Sequence, residues 1–552
     1  MSPRTLVRLL ACYILVLAGT CITVRNVLAL ASDREPTGER IVSLWRAGAR
    51  VGRVVVSGAE ALPACDGCVR TVEAIVDRSP LWFRNPLVLS ISVVAGRDGI
   101  AAHLDGRSAY LTPLDLLSTH ATTGKARFGF LRLRAGLDDV QAVLQTLASE
   151  LGTDRATLVN RGRLERFCVQ RQDEAAETWP RKVGPSEVTR RRLTHSVRAA
   201  ASYLAKTVRP DGSFVYGIDA RTGKALAGYN WPRHAGSTLF LAQAAHFLGE
   251  RELVAVARRA AKRLRRHATQ RCGRHRCIGR GRRVDLGSSA LALLAYVELA
   301  EHGSGKGFLR HIDGLAKFLR FMQRSDGEFM HLYDRQRKRR RDVQFPFYTG
   351  EAALALARAA RLNEPEANLS AASSALSHLV DKSWRSFGDR YFFGAEHWTC
   401  QALEALWEHT QSRPALRFCL DYHAFNRHVQ FRHDNPLGPY DGGFGPNPFF
   451  PPRLTSASSR SEAAVATLAT ATRAGVDDDQ RAALENQIRR SLAYVMRYQF
   501  APGPTFLMAD PAAVLGGVPG SPVDLLVRND FSQHAGSAMI RFARFLGAKR
   551  GH

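Results

Sequence analysis

The stretches His234-Ala-Gly-Ser237 and His534-Ala-Gly-Ser537 decide the fold of this chain. Each copy opens an apolar, helix-forming run that ends in Phe-Leu-Gly, at residues 247–249 and 545–547. Runs of small and apolar residues that begin and end with the same signals are typical of a repeated helix. The two copies therefore predict two equivalent helices that lie far apart in the sequence.

Four further segments between the two copies start in a similar way. They are Asp285-Leu-Gly-Ser-Ser289, Tyr348-Thr-Gly-Glu351, Glu396-His-Trp398 and Ser459-Arg-Ser-Glu462. Successive starts are roughly fifty to seventy residues apart, which leaves room for one more helix in each interval. Charged, amphipathic patterns supply these extra helices, at residues 186–208, 250–267, 308–323, 368–382, 414–429 and 477–498.

The two kinds of helix differ in composition. The helices at the six starts carry Ala, Leu, Ser and Gly around most of their circumference, which is typical of buried helices, whereas the others have a wide charged face. We therefore predict a mainly α fold, an (α/α)6 toroid of six helical hairpins over residues 185–548, with an inner and an outer ring. The motif shared by the first and last inner helices predicts that the ring is closed.

This pattern resembles the (α/α)6 toroids, which include six-hairpin glycosidases, uronate-acting polysaccharide lyases, sugar 2-epimerases and terpenoid cyclases. The resemblance covers about residues 185–548 and is architectural. Gln323-Arg-Ser-Asp-Gly-Glu-Phe329 is similar to the Q-x-x-D-G-x-W repeats of terpenoid cyclases, with shorter versions at Asp211-Gly-Ser-Phe214 and Asp441-Gly-Gly-Phe444. Asp-Gly favours a tight turn, after which the aromatic residue packs against the neighbouring hairpin.

The chain departs from the cyclases in its chemistry-bearing residues. It has no D-x-D-D acid motif, and Asp477-Asp-Asp479 stands where an outer helix begins, which favours a role at the helix dipole. Zinc-dependent toroids use Cys and His near the lumen, and here Cys400, close to His397, is the one cysteine that could contribute. We therefore expect neither a catalytic metal nor a cofactor.

Nine cysteines bear on the compartment of the protein. Cys65-Asp-Gly-Cys68 and Cys272-x4-Cys277 favour two short disulfides in an exported chain, with zinc as the alternative for each pair. We expect the remaining cysteines beyond the leader to be buried thiols: Cys168, Cys400 and Cys419.

Residues 1–31 have the pattern of an export signal. Arg4 and Arg8 precede an uncharged stretch over residues 9–24, and a small-x-small site ends at Ala31. The apolar stretch is shorter than the ~20 residues that span a bilayer, so cleavage is favoured. Arg25 is unusual so near a cleavage site, which leaves an uncleaved membrane anchor as the alternative.

Residues 40–180 predict a small α+β accessory domain. Residues 86–95 favour a strand, residues 96–99 a turn and residues 100–111 a second strand-like stretch. Helical patterns occur at residues 59–76, 113–119 and 137–151.

A net charge of +28, most of it from Arg, predicts an acidic partner. The densest basic segments are residues 258–283 and 335–341, and the second is expected to be an exposed loop. Because the chain is predicted to be exported, anionic glycans or lipid headgroups are favoured and nucleic acid is not expected. The alternative is a basic surface that reflects an arginine-rich composition without a specific partner.

The inner-helix starts of a toroid meet at one mouth of the lumen, so their polar residues predict one site. We predict Glu351 and Glu396 as the first acid/base pair, Asp530 as a third carboxylate and His234 as a proton shuttle. The predicted substrate-binding residues come from all the starts: Tyr229, Asn230, Arg233, Asp285, Tyr348, His397, Arg460, Glu462 and His534. For each carboxylate taken singly, helix capping is the favoured alternative.

These residues predict a periplasmic or secreted carbohydrate-active enzyme, a glycoside hydrolase that uses two carboxyl groups. A uronate lyase or a sugar epimerase is the nearest alternative, because Tyr229, Asn230, Arg233 and His234 match in type the Asn, Tyr, His and Arg residues of lyase toroids. A non-enzymatic cell-envelope binding or assembly protein and a terpenoid cyclase-like enzyme are further alternatives. The expected partner is a glycan, with an acidic polysaccharide as a special case and membrane association through the N-terminal segment.

Overall fold

The structure is a computed structural model of the 552-residue chain. It describes residues 38–57, 66–82, 84–119, 121–122, 127–128, 131–132, 136–172, 180–387, 396–432, 440–445, 451–502 and 504–548. The predicted export signal or anchor at residues 1–31 lies outside the described residues. Within them, no helix has both the length and the apolar composition that crossing a membrane requires.

The N-terminal part is built on a six-stranded antiparallel sheet with the strand order β2-β1-β3-β8-β4-β5. The strands of this sheet are β1 (Glu39–Arg46), β2 (Ala49–Ser57), β3 (Val69–Pro80), β4 (Asp98–Leu104), β5 (Arg107–Leu111) and β8 (Arg163–Gln172). A separate short hairpin consists of β6 (Arg127–Phe128) and β7 (Leu131–Arg132). The helices of this part are α1 (Pro86–Ser92), α2 (Pro113–Ser118), α3 (Val140–Glu150) and α4 (Arg155–Arg161).

Two sequence predictions for this part are wrong, whereas the strand-like stretch over residues 100–111 and two helices are confirmed. Residues 86–95 hold helix α1, because Asn85 accepts hydrogen bonds from Leu87 and Val88 and Pro86 suits the first helical position. The described part of residues 59–76 enters strand β3 instead of a helix, since pairing with β1 and β8 overrides its helical pattern. Helices α2 and α3 lie where they were predicted.

Twelve helices form the toroid within the described residues, in the order that the sequence predicts. The outer helices are α5 (Arg190–Lys206), α7 (Arg251–Arg263), α9 (Leu309–Met322), α11 (Pro365–His378), α13 (Arg413–His428) and α15 (Asp478–Tyr498). The inner helices are α6 (Trp231–Leu248), α8 (Leu286–Glu301), α10 (Tyr348–Ala359), α12 (Trp398–Thr410), α14 (Leu454–Arg473) and α16 (Asn529–Ala548). Each inner helix contacts the next, and α16 contacts α6, so the ring is closed as predicted.

Short strands line the connections before the inner helices. β9 (Gly217–Asp219) pairs with β15 (Leu526–Arg528), which joins the segment before α6 to the segment before α16. The others form a hairpin and a three-stranded sheet: β10 (Thr269–Cys272), β11 (His275–Ile278), β12 (Arg283–Asp285), β13 (Leu332–Asp334) and β14 (Arg339–Arg341). The basic segment 335–341 lies in the β13–β14 hairpin and is largely exposed, as predicted.

Glycine allows the first and last inner helices to approach closely. A Cβ atom on Gly236 would lie 2.9 Å from Oε1 of Gln533, and one on Gly536 would lie 2.1 Å from the ring of Phe240. A side chain on Gly536 would overlap the Phe240 ring, and one on Gly236 would displace the Gln533 amide. The glycines of the two His-Ala-Gly-Ser copies therefore leave room for the neighbouring helix where the ring closes.

Three of the six hairpins carry an Asp-Gly turn that fastens the hairpin to the next outer helix. Gly327 has a positive φ and packs against the carbonyl of Ser374, while the Gln323 side-chain amide donates to the carbonyls of Gly327 and Ala371. Gly442 and Gln430 make the same pair of contacts with α15. A further copy closes the ring, and sequence reasoning missed it because seventeen residues separate its amide from its glycine: Gln499 donates to Gly516 and Ser196.

The N-terminal sheet packs against loops that precede the last two inner helices. The rings of Trp45 and Phe506 lie 5.8 Å apart, and the Gly48 amide donates to the Phe506 carbonyl. The Tyr440 hydroxyl donates to the carbonyl of Ala95. The sheet therefore lies at the end of the toroid where the inner helices begin.

The cysteine predictions are confirmed in part. Cys272 and Cys277 form a disulfide in the β10–β11 hairpin, and Cys168 is a buried thiol. Cys400 and Cys419, predicted as thiols, form a disulfide between α12 and α13 with a Cα–Cα distance of 5.8 Å. The sequence could not pair them because nineteen residues and a helix reversal separate them. The disulfide also removes Cys400 as a metal ligand.

Candidate active site

The polar starts of the inner helices meet at one mouth of the toroid. Asn230 caps α6 by accepting a hydrogen bond from the Arg233 amide, and Asp285 caps α8 by accepting from the amide and hydroxyl of Ser288. Helix α14 starts earlier than the sequence predicts, at Leu454, so Glu462 lies in its third turn and not at its start. This depth brings Glu462 to the side chains that project inward from other helices.

Three carboxyl groups lie together where α8, α10 and α12 begin. Asp285 and Glu396 are close enough to Glu351 for their charges to act on it. Glycine makes this approach possible, because a Cβ on Gly287 would lie 2.5 Å from Oε2 of Glu351 and one on Gly350 would lie 3.2 Å from Oε1 of Glu396. Each glycine thus leaves room for the carboxyl group of the next inner helix.

Glu351 and Glu396 have different surroundings. Oε1 of Glu396 accepts hydrogen bonds from the amide of Thr399 at 2.6 Å and from its hydroxyl at 3.0 Å, which is the capping role considered from the sequence. Oε2 of both residues is buried and accepts no hydrogen bond from any residue that the structure describes. The two side chains remain 6% and 4% exposed, and no cation among the described residues pairs with either.

These surroundings favour the protonated carboxyl groups. Burial raises the pKa of Glu351 well above its usual range, and the charges of Asp285 and Glu396 raise it further. Burial raises the pKa of Glu396 to about 7, although its hydrogen bonds with Thr399 oppose the shift. Burial also raises the pKa values of Asp285 and of the neighbouring Tyr348. Burial and the neighbouring charges therefore favour the protonated form of Glu351.

A second group of side chains meets across the lumen. Nδ1 of His534 lies 2.8 Å from Oε2 of Glu462, and Nε2 of His397 lies 3.6 Å from the same oxygen. The His397 and His534 rings are 5.1 Å apart, and the ring of Trp398 contacts both. Because α12 and α16 are not neighbours in the ring, these side chains can meet only inside it.

Charge explains the protonation of this group. Burial by itself would lower the pKa of His534, but the charge and hydrogen bond of Glu462 outweigh burial and raise it.

His397, Glu462 and His534 each offer one ligand atom within 4.8 Å of the others, so these residues could hold a divalent cation. A second such group, His246, Glu298 and His302, lies at the opposite end of the inner helices, where Arg358 pairs with Glu298.

Asp530 is held by arginine. Arg233 donates to it through Nε at 3.1 Å, and Arg528 donates through Nε at 2.6 Å and Nη2 at 2.8 Å. Burial would raise the pKa of Asp530, but the hydrogen bonds and charges of Arg528 and the charge of Arg233 lower it. Asp530 is therefore ionised and hydrogen-bonded to two arginines, which suits a positioning role better than proton transfer.

His234 does not face the lumen. Its Nε2 lies 2.9 Å from the carbonyl of Ala260 on outer helix α7, and its Nδ1 is bonded to the hydroxyl of Tyr229. The rings of Phe214 and Trp231 pack against it. Burial lowers its pKa to about 4. The predicted proton shuttle therefore has both nitrogens occupied in the wall of the first hairpin.

Arg460 contacts outer helix α13 and the turn that follows it. Its Nε donates to Oδ1 of Asn426 at 3.0 Å, and its guanidinium lies 4.9 Å from the centre of the Phe444 ring. Burial lowers its pKa, and these contacts fasten α14 to α13.

Sequence reasoning missed one residue of the site. The sequence predicts Trp398 only as part of the Glu-His-Trp helix start, whereas in the structure its indole packs against His397 and His534 at the mouth. The signal was the aromatic residue directly after two polar residues at a helix start.

Comparisons with known proteins bear on the fold. No family model matches the chain, and no curated protein sequence matches it. The structure is similar to cellobiose 2-epimerase from Bacillus thermoamylovorans, with 11% identity, 64% of this chain and 99% of the other covered, and a TM-score of 0.51. It also matches an unsaturated glucuronyl hydrolase specific for heparin (15% identity, 64% and 97% covered, TM-score 0.46) and a Salegentibacter α-1,6-mannanase (10%, 64% and 99%, 0.45). The likeness to the epimerase shows that the chain has the (α/α)6 toroid fold.

Proposed function

We propose that the protein is a carbohydrate-active enzyme, a glycoside hydrolase whose active site is the mouth of the toroid. The observation that carries this proposal is the group of Asp285, Glu351 and Glu396. The buried carboxyl groups of Glu351 and Glu396 lie beside the half-buried Asp285, and no cation among the described residues pairs with any of the three. Such an arrangement is costly for stability, because like charges and burial both oppose ionisation. A cost of this kind is typical of sites that need a carboxylic acid to stay protonated at neutral pH.

Glu351 is the proposed general acid and Glu396 its partner. Glu351 gives its proton to the glycosidic oxygen while the bond from that oxygen to the anomeric carbon breaks, so the leaving sugar departs as a neutral alcohol. The ionised form of Glu396 then accepts a proton from water as the water attacks the anomeric carbon, or attacks that carbon itself. In the first route the proton that Glu396 has accepted then passes through solvent to Glu351. In the second route ionised Glu351 takes a proton from the water that breaks the ester bond between the sugar and Glu396. Each route adds one water across the glycosidic bond and leaves Glu351 protonated and Glu396 ionised.

The remaining side chains of the mouth suit a sugar. Trp398 and Tyr348 offer ring faces that stack on a pyranose, and His397, His534 and Glu462 offer hydrogen bonds for hydroxyl groups. The fold shared with a cellobiose 2-epimerase agrees with a sugar substrate by analogy of fold. Export to the periplasm or the medium, and an acidic polysaccharide as substrate, complete the proposal.

The test is an incubation of the purified protein with a panel of neutral and acidic glycans, followed by analysis of the products. New reducing ends without unsaturated sugars are expected from the wild type. Glu351→Gln and Glu396→Gln are expected to lower turnover by roughly 10²–10⁴-fold each. Glu408→Gln is the matched control, since Glu408 lies on α12 but is exposed and far from the mouth. Equal turnover in all four proteins would contradict the assignment.

A lyase or epimerase is the second candidate, and the pair of His397 and His534 favours it. Two imidazoles 5.1 Å apart across the lumen could remove and return a proton next to a carbonyl or carboxyl group. Unsaturated products would identify a lyase, and products of unchanged mass would identify an epimerase. In either case His534→Gln is expected to lower turnover more than Glu351→Gln does.

A further inference from the structure

A basic cavity lies outside the lumen, between the first Asp-Gly turn and outer helix α7. Its volume is about 400 Å³. The side chains that carry charge in its lining are five cations and one carboxylate: Arg258, Arg259, Lys262, Arg263, Arg266 and Asp211.

Most of this charge has no internal partner. Arg263 pairs with Asp211 at 2.6 Å. Arg258, Arg259, Lys262 and Arg266 are exposed, and none of them contacts a carboxylate among the residues that the structure describes. Four unpaired cations around one concave surface repel each other, and an anion in the cavity would relieve that repulsion.

Helix geometry explains why these cations share one side. Arg258, Lys262 and Arg266 follow one another at intervals of four residues, which places them on one face of the helix. A π turn over Leu264–Ala268 continues α7 and carries Arg266 on the same side. Arginine forks of this kind bind two oxygens of one planar or tetrahedral oxyanion, such as a carboxylate, sulfate or phosphate.

The cavity lies beside the mouth. Helix α7 runs antiparallel to α6, so its C-terminal half reaches the end where α6 begins. The carbonyl of Ala260 contacts His234 near that start, and the carbonyl of Arg259 packs against Gly212 in the turn. The charge of Arg263 also acts on the hydroxyl of Tyr229, which lies before α6. A polysaccharide that places one sugar unit in the lumen could therefore place a neighbouring sugar unit of the same chain in the cavity.

We infer that this cavity binds the anionic groups of an acidic polysaccharide and holds the chain beside the mouth. The role of the cavity in holding a substrate rests on the proposed function. The binding of an acidic polysaccharide to the cavity does not depend on that function. A concave site for single oxyanions, next to a lumen, fits a flexible acidic chain better than a flat lipid surface. Sulfate, carboxylate and phosphate groups all present oxygens that arginine can bind. Polymers that carry different anionic groups distinguish between them in the experiment.

The experiment measures binding of heparin and of polygalacturonate to the Glu351→Gln protein, which removes turnover from the assay. The cavity variant replaces Arg258, Arg259 and Lys262 with Ala. The matched control replaces Arg337, Lys338 and Arg339 with Ala, which removes the same three charges from the exposed β13–β14 hairpin. The cavity variant is expected to bind at least one polymer roughly tenfold more weakly, and the control within about twofold of the parent.

Further arms separate the sources of the anion. Inorganic phosphate should displace the polymer from the parent but not from the cavity variant. An equal loss of affinity in the cavity and control variants would overturn the inference, because the general basic field would then explain binding. Binding to phosphatidylglycerol vesicles but to neither polymer would also overturn it. Polymer binding that depends on the cavity, together with a wild-type protein that turns over no glycan, would support the cavity and reject the enzyme, so the two proposals fail separately.

Discussion

The first and last inner helices share the tetrapeptide His-Ala-Gly-Ser, yet the two histidines face opposite sides of the ring and their pKa values shift in opposite directions. His234 contacts the outer helix α7 and is neutral, because burial lowers its pKa to about 4. His534 points into the lumen, where Glu462 raises its pKa. The same tetrapeptide therefore builds the wall at one point of the ring and the candidate active site at the next.

The contacts of the two glycines explain the difference. Gly236 on α6 faces Gln533 of α16, whereas Gly536 on α16 faces Phe240 of α6. In the closed ring these are opposite directions around the circle, so one copy is turned by half a rotation relative to the other. A residue that points outward in the first copy must point inward in the second. A repeated motif can thus fix the closure of a toroid without repeating its chemistry.

The largest expected difference between the two copies is in turnover. His534→Gln is expected to lower turnover by roughly 10²–10³-fold, because it removes a charged hydrogen-bond donor from the mouth. His234→Gln is expected to leave turnover per folded molecule within about threefold, since Gln keeps a hydrogen-bonding group in the wall. Steady-state rates on the glycan that the wild type turns over, corrected for the folded fraction, provide the measurement. Equal losses in the two variants would remove the proposed distinction.

The next difference is in stability. His234→Ala is expected to lower the free energy of unfolding by about 2–4 kcal/mol, because it leaves a cavity among the rings of Phe214, Tyr229 and Trp231. His534→Ala is expected to cost less, since its side chain lies at the lumen. Denaturant unfolding at neutral pH measures both. A larger loss at His534 would mean that the last copy is the structural one.

The smallest difference is in pH dependence, and its sign is opposite in the two copies. The lowered pKa of His234 gives stability that is present above about pH 6.5 and is lost as pH falls toward about 4, up to about 3 kcal/mol. The raised pKa of His534 gives stability that is present below about pH 6.5 and is lost as pH rises through the folded value. Unfolding curves of wild type, His234→Gln and His534→Gln between pH 4 and 9 isolate each contribution as a difference. Differences of the same sign would contradict the account.

Helical periodicity was sufficient to predict the toroid. The twelve helices and the Asp-Gly fastenings follow from patterns that lie within one helix or one turn, and such patterns are local. The closed ring follows from the tetrapeptide that the first and last inner helices share. The fastening by Gln499 and Gly516 was missed because its two parts are separated along the chain. The Cys400–Cys419 disulfide was missed for the same reason.

The site could be predicted in outline only. The carboxyl groups of Asp285, Glu351 and Glu396 converge because they lie at the starts of consecutive inner helices. The orientation of His234 could not be predicted, because it depends on which neighbour the adjacent glycine faces. The third-turn position of Glu462 depends on where α14 begins, and helix ends are the least certain feature of a sequence pattern. Direction around the ring is a property of the packed molecule, not of a motif.

Glu351 provides the most direct test of the central claim, that the mouth holds a buried carboxylic acid for catalysis. Turnover and thermal unfolding are measured on the same preparation of Glu351→Gln at neutral pH. We expect turnover to fall by roughly 10²–10⁴-fold while the Tm stays nearly unchanged, because burial and the charges of Asp285 and Glu396 already favour the protonated form of Glu351 and an amide is its neutral, similarly shaped replacement. A lower Tm with turnover unchanged would contradict the claim and would identify Glu351 as a carboxylate that stabilises the start of helix α10.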